Sequence, residues 1–202
     1  MQPFLPRGSR ILMLGSFPPP KTRWSMDFYY PNFRNDMWRI VGLVFFNQAG
    51  YFIQGNGYNR KLIESFCREK GLALYDAAVK VIRMTGNASD KYLEVVESID
   101  LAGILDNLPM CSNVAVTGQK AAQTVLEVLA GTGFQQVLQL PAMGSFANFR
   151  YGERLVRLYR MPSTSRAYPM PLEKKVSYYR NLFKSFLGHS HSMVAGGLED
   201  IS

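Results

Sequence analysis

Reactive and metal-binding side chains are scarce in this chain of 202 residues, which holds two cysteines and two histidines. Cys67 and Cys111 are far apart, lack CxxC spacing and sit among apolar neighbours. They read as buried thiols in a reducing compartment rather than as a disulfide or a metal site. His189 and His191 both fall in the closing segment "GHSHSMVAGGLEDIS", which is small, polar and without apolar periodicity. Residues 189–202 are therefore expected to be a flexible tail, a poor place to hold a metal. No metal site is expected. No apolar run approaches the roughly 20 residues of a membrane helix, so no membrane span is expected. The start, "MQPFLPRGSRILMLG", has no apolar core ahead of a small-residue cleavage site, and a signal peptide is not expected either. A cytoplasmic location is expected, near the nucleoid if the source is bacterial. A phosphate loop of the GxxxxGK type and a GxGxxG turn are both missing, which argues against Walker and dinucleotide chemistry.

Acidic side chains are also in short supply. Lys plus Arg outnumber Asp plus Glu by 23 to 15, giving a net charge of +8. Such a surplus favours an anionic partner, with nucleic acid or an acidic membrane surface the usual candidates. An ordinary basic surface is the plain alternative. Hydrophobic residues make up 47% and charged residues 19% of the chain. That balance suits a folded core rather than disorder, and one domain over residues 1–188 rather than two.

Short apolar runs alternate with helical periods. "RILMLGSF" (10–17), "LALYDAA" (72–78), "NVAVTG" (113–118), "QQVLQLP" (135–141) and "RLVRLYRMP" (154–162) read as strands. Several are continuous rather than alternating, as in strands covered on both faces. Met37, Ile40, Val41, Val44 and Phe45 recur at helical spacing, as do Ala122, Val125, Leu126 and Leu129 ahead of Gly131. Leu62, Ile63 and Phe66 mark a shorter helix stopped by Gly71, and Leu172, Val176, Tyr179, Phe183 and Phe186 a last one. "GSF" occurs at 15–17 and 144–146, but the flanks differ and no repeat is present. The alternation predicts an α/β fold: a three-layer α/β/α sandwich around a mostly parallel sheet of four to five strands.

Ligands of such sheets bind beyond the carboxyl ends of the strands, and two unusual loops fall there. The first, "GSFPPP", uses Gly15 for a tight turn and Pro18 to Pro20 to stiffen its exit. It runs into "DFYYPNFRNDMW", where Asn35 reads as a helix cap that can still present its amide to a ligand. Tyr30 in that loop is either a core plug or a flat surface for a base. The second loop is "MPSTSR". Ser163, Thr164 and Ser165 carry short donors suited to phosphate oxygens, and Arg166 adds a planar charge that can stack or insert. Hydroxyls bonding their own backbone in a capped turn are the plain alternative.

The combination resembles the uracil-DNA glycosylase superfamily. It is most similar to the branch of mismatch-specific uracil/thymine glycosylases and hypoxanthine-DNA glycosylases. Gly15-Ser16-Phe17-Pro18 resembles that branch's Gly-x-x-Pro turn, and "YYPNFRNDMW" its Y-Y-x-x-P-R-N-x-F-W loop. "GLALYD" (71–76) and "GNASD" (86–90) look like its central motifs, "NVAVTGQKA" its third strand and helix, and "MPSTSRA" its late loop. The likeness spans roughly residues 10 to 187, in the same order.

The resemblance implies a monomeric enzyme of base-excision repair that needs no metal and no cofactor. Such an enzyme flips a damaged or mismatched base out of DNA and hydrolyses its glycosidic bond. It implies Asn35, Ser16 and Phe17 at the catalytic positions. Gly15, Phe17, Pro18, Tyr30 and Asn35 would contact the base, and Ser163, Thr164, Ser165, Arg166 and Lys120 the DNA. The departing base is an anion, so fixed donors are required.

There are departures from the pattern. Phe17 stands where many relatives have Asp or Asn to position the attacking water, although the hypoxanthine branch also lacks that polar residue. Pro19 replaces a usual glycine, and Met161 stands where uracil-specific enzymes have histidine. Two further readings follow: an inactive or substrate-shifted member acting as a DNA-binding module, and a small-molecule or nucleotide hydrolase on a similar sheet. The last gives no reason for Arg166 or for the basic charge.

Overall fold

The structure, a computed structural model, describes residues 1–83, 93–131, 133–135 and 139–187. The first half of the chain runs β1 (Ile11–Gly15), α1 (Met37–Phe46), β2 (Ile53–Gln54), β3 (Gly57–Tyr58), α2 (Arg60–Lys70) and β4 (Leu72–Asp76). Next come β5 (Ala78–Arg83), β6 (Leu93–Ser98), α3 (Leu101–Asp106), β7 (Asn113–Thr117) and α4 (Gln119–Leu129). The chain closes with β8 (Phe146–Tyr151), β9 (Arg154–Met161) and α5 (Leu172–Leu187).

Five strands form the central sheet in the order β4-β1-β7-β9-β8. The first four are parallel and β8 pairs antiparallel with β9. Successive side chains of each parallel strand enter opposite layers. Ile11 and Met13 join Leu72, Leu74, Tyr159 and Met161 under α1, α2 and α5. Leu12 and Leu14 join Val114, Val116, Val156 and Leu158 under α3 and α4. Both faces of β1, β4 and β7 are therefore covered, which is why these three read as nearly continuous apolar runs, whereas β9 buries only Val156, Leu158, Tyr159 and Met161. The α/β/α architecture with a mostly parallel sheet is the one expected. Gly71, at φ 68°, ends α2 as expected, and at its start the Asn59 side chain accepts from Leu62 N, a cap the sequence reading did not name.

The strand expected at 135–141 is a correction. Gln135 makes only an isolated bridge to Arg150, residues 136–138 lie outside the described residues, and Gln139 to Pro141 are not in a strand. The fifth strand is β8. Of its six residues only Phe149 is buried, because an edge strand faces solvent over most of its surface. "FANFRY" therefore lacks the apolar run that marked the others. The β5–β6 hairpin, the β2–β3 ribbon and α3 also went unforeseen. "GNASD" and the segment 189–202 lie outside the described residues. Among the described residues no helix is long and apolar enough to cross a membrane.

Candidate active site

At the carboxyl ends of β1, β4, β7 and β9 lies a cleft of about 660 Å³, within the range of small-ligand pockets. Its walls come from the turn after β1, the loop before α1, the first turn of α4 and the loop after β9.

Gly15 ends β1 at a point where a side chain would displace the Asp76 carboxylate. A Cβ there would lie 2.7 Å from Asp76 Oδ1 and 3.8 Å from Tyr30 Cε1. Ser16 is buried, and Phe17 and Pro18 are half-buried beside it, all three lining the cleft. The proline turn is pinned from outside. Arg83 Nη2 donates to Pro18 O (2.6 Å), and Trp24 Nε1 donates to Pro19 O (2.7 Å). The Arg83 guanidinium also lies 5.7 Å from the Phe17 ring centre. Phe17 thus offers a fixed apolar wall.

Asn35 is held at almost every polar atom. Its Oδ1 accepts from Met37 N (2.9 Å), the first residue of α1, although the N-cap position falls on Asp36 rather than on Asn35 as expected. Its N–H donates to Asn32 O (2.8 Å), and its carbonyl accepts from the Tyr58 hydroxyl (2.8 Å). Because the side-chain oxygen is committed to the helix, the amide NH₂ is the group Asn35 can offer to the cleft. Tyr30 sits in the left-handed region at φ 52°, a conformation that costs about 1–3 kcal/mol in a non-glycine residue. Its hydroxyl lies 3.3 Å from Thr117 Oγ1, and Trp38 packs edge-on against its ring. Burial pushes the Tyr30 hydroxyl well above its ordinary pKa, so it stays neutral.

Loops 130 residues apart meet at one hub, Asp36. Asp36 N donates to Thr164 O (2.8 Å), and Asn35 bridges Ser165. The Asp36 carboxylate, 8% exposed, accepts from Arg166 Nε (2.9 Å) and from Lys175 Nζ (3.0 Å). Lys175, 1% exposed, also donates to Ser165 O (2.9 Å). One turn further along α5, the Tyr179 hydroxyl donates to Pro162 O (2.8 Å). α5 thus supports the "PSTS" loop from beneath at two carbonyls. Within the loop, Ser163 Oγ accepts from Ser165 N (3.3 Å) and Ser165 Oγ from Ala167 N (3.2 Å). Accepting leaves each hydroxyl hydrogen to donate. Across the cleft Gly118, at φ 91°, starts α4, and a Cβ there would come within 3.3 Å of Ser163 Cβ. Gln119 and Lys120 follow on the wall, in the first turn of a helix, where main-chain N–H groups lack helical partners.

The chain shares its fold with a provisionally named uracil DNA glycosylase. That protein, from Methanosarcina acetivorans and solved by solution NMR, superposes with a TM-score of 0.61 at 21% identity. The match covers 91% of this chain and 96% of the other. No protein-family model matches the sequence, and no curated protein matches it significantly. Fold is what this likeness establishes; chemistry has to be argued from the side chains.

Gly15, Ser16, Phe17, Pro18, Tyr30, Asn35, Lys120, Ser163, Thr164 and Ser165 all line the one cleft. Arg166 does not: its Nε is spent on Asp36 and half of its side chain is exposed outside. Sequence reasoning missed Asp76, Thr117 and the cations Arg23 and Arg34, which also line the cleft. Arg23, Arg34 and Lys120 against the single carboxylate of Asp76 leave the lining basic. Among the described residues no cluster of three or more His, Cys, Asp or Glu side chains could hold a metal.

Proposed function

We propose that this chain is a monofunctional DNA glycosylase that removes a deaminated base, uracil or hypoxanthine, from DNA by flipping the base and hydrolysing its glycosidic bond. The observation that carries this reading is the meeting of the Gly15–Asn35 and Ser163–Ser165 loops in one cleft. Tyr30 supplies a rigid ring face for a flipped base, and the Asn35 amide a fixed donor for the charge on the leaving base. Ser163 and Ser165 present hydroxyls, and Arg34, Arg23 and Lys120 present charge, to phosphates on either side. Arg166, held at one nitrogen and half exposed, keeps the rest of its guanidinium for the duplex at the rim.

The test is cleavage of a duplex carrying one uracil or one hypoxanthine, read after alkali treatment of the abasic product. Strand breaks at the lesion, and none in the undamaged duplex, are expected. A second reading, a DNA-binding module without catalysis, is favoured by Phe17, which places an apolar ring in the wall where a polar group could hold water. Tight binding to the same duplexes with no break at enzyme excess would support it.

A further inference from the structure

Hydrolysis requires more than a seat for the leaving base: the attacking water must lose a proton, and Phe17 cannot take it. Asp76 is the single carboxylate among the residues lining the cleft. It is the last residue of β4 and is 9% exposed. Its Oδ1 occupies the space that a side chain on Gly15 would need, and the Tyr30 ring edge approaches that same bare Cα from another side. The Asp76 carboxylate and the Tyr30 ring edge therefore border the same point of the cleft, beside Gly15. The turn after β4 is closed by the main chain: Ala77 N donates to Gly15 O (2.8 Å) and Ala78 N to Ser16 O (3.1 Å). The glycine at the end of β1 leaves the carboxylate its place in the cleft, which a Cβ at that position would crowd.

We infer that Asp76 is the catalytic base of this site, an assignment that rests on the glycosylase reading above. A water held by the Asp76 carboxylate attacks the sugar C1′ carbon. The C1′–N bond breaks and its electron pair leaves on the base nitrogen, giving a base anion whose carbonyl oxygen accepts from Asn35. The new C1′–O bond releases the water proton to Asp76, which passes it to the departing base or to solvent. No oxidant, reductant or metal enters this balance. The ring hydroxyls nearby do not compete for the role. Burial, with the Asp76 charge adding to it, keeps Tyr29 and Tyr30 protonated well above neutral pH.

The test compares wild type with Asp76→Asn, a near-isosteric change, on the uracil and hypoxanthine duplexes under single-turnover conditions. The excision rate should fall by about 10²-fold or more, within the range of general-base contributions. Duplex affinity, read by fluorescence anisotropy, should change less than about threefold, because binding does not use the proton acceptor. A rate within tenfold of wild type overturns the assignment and leaves the glycosylase reading standing. An equal loss of affinity and rate overturns it too, since it marks a structural role. Asp76→Ser, smaller and neutral, carries the same expectation should Asp76→Asn fail to fold. A wild-type chain that excises neither base overturns the reading and the assignment together.

Discussion

Asn35 combines two jobs that a single substitution can separate. Its oxygen accepts from Met37 N at the start of α1, one residue ahead of the N-cap Asp36, and its NH₂ is left for the cleft. Asn35→Asp keeps the capping oxygen but replaces the donor with a negative charge where an anion must form. The expected result is near-normal thermal stability with excision reduced by about 10²-fold or more, the scale for losing one charge-stabilising donor. Asn35→Ala should lose rate and also about 0.5–2 kcal/mol of stability with the cap. Melting curves beside single-turnover rates decide the matter. An Asn35→Asp enzyme that excises normally returns the residue to capping alone. Tyr30 and Gly15 are fixed by similarly local constraints, a left-handed backbone in one case and the Asp76 carboxylate in the other.

Among the elements, α5 does more than cover the sheet. Leu172, Val176, Tyr179 and Phe183 lie on its apolar stripe, as the spacing predicted, and Lys175 sits on the same face among them. A lysine in a helix reads as solvated, so nothing in the sequence set it apart. Only the fold brings Asp36, 139 positions away, to its ammonium group. Lys175→Met should leave the Asp36 carboxylate with Arg166 alone, at a cost of up to about 3–5 kcal/mol for breaking a buried pair. Urea denaturation checks this, and a change below about 1 kcal/mol contradicts it. The double variant Asp36→Asn, Lys175→Met should recover part of the loss, since it removes both charges together. β1, β4 and β7 were legible because both their faces are buried, and β9 because Val156, Leu158, Tyr159 and Met161 still mark it as apolar. β8 was not, because an edge strand needs few apolar residues. The two loops were legible from glycine, proline and hydroxyl patterns. Asp76 was not singled out, because a lone acid at a strand end carries no signal until Gly15 is seen to make room for it.

For the whole molecule, the parallel sheet explains why one cleft collects residues spread from Gly15 to Tyr168: parallel strands deliver all their carboxyl ends to the same edge. The net charge of +8 finds a local expression there in Arg23, Arg34 and Lys120. If each of these three meets a phosphate, the logarithm of duplex affinity should fall against the logarithm of salt concentration with a slope of roughly −3. A slope near zero would mean that the basic lining touches no backbone. The central claim, that the cleft accepts an extruded base and frees it by hydrolysis, is tested most directly by mass spectrometry of the reaction products. Incubation with duplexes holding one uracil or one hypoxanthine should release the free base and leave a full-length strand with one abasic site, unbroken until alkali is added. Recovery of both oligonucleotides at their starting masses, at several-fold enzyme excess, would contradict the account.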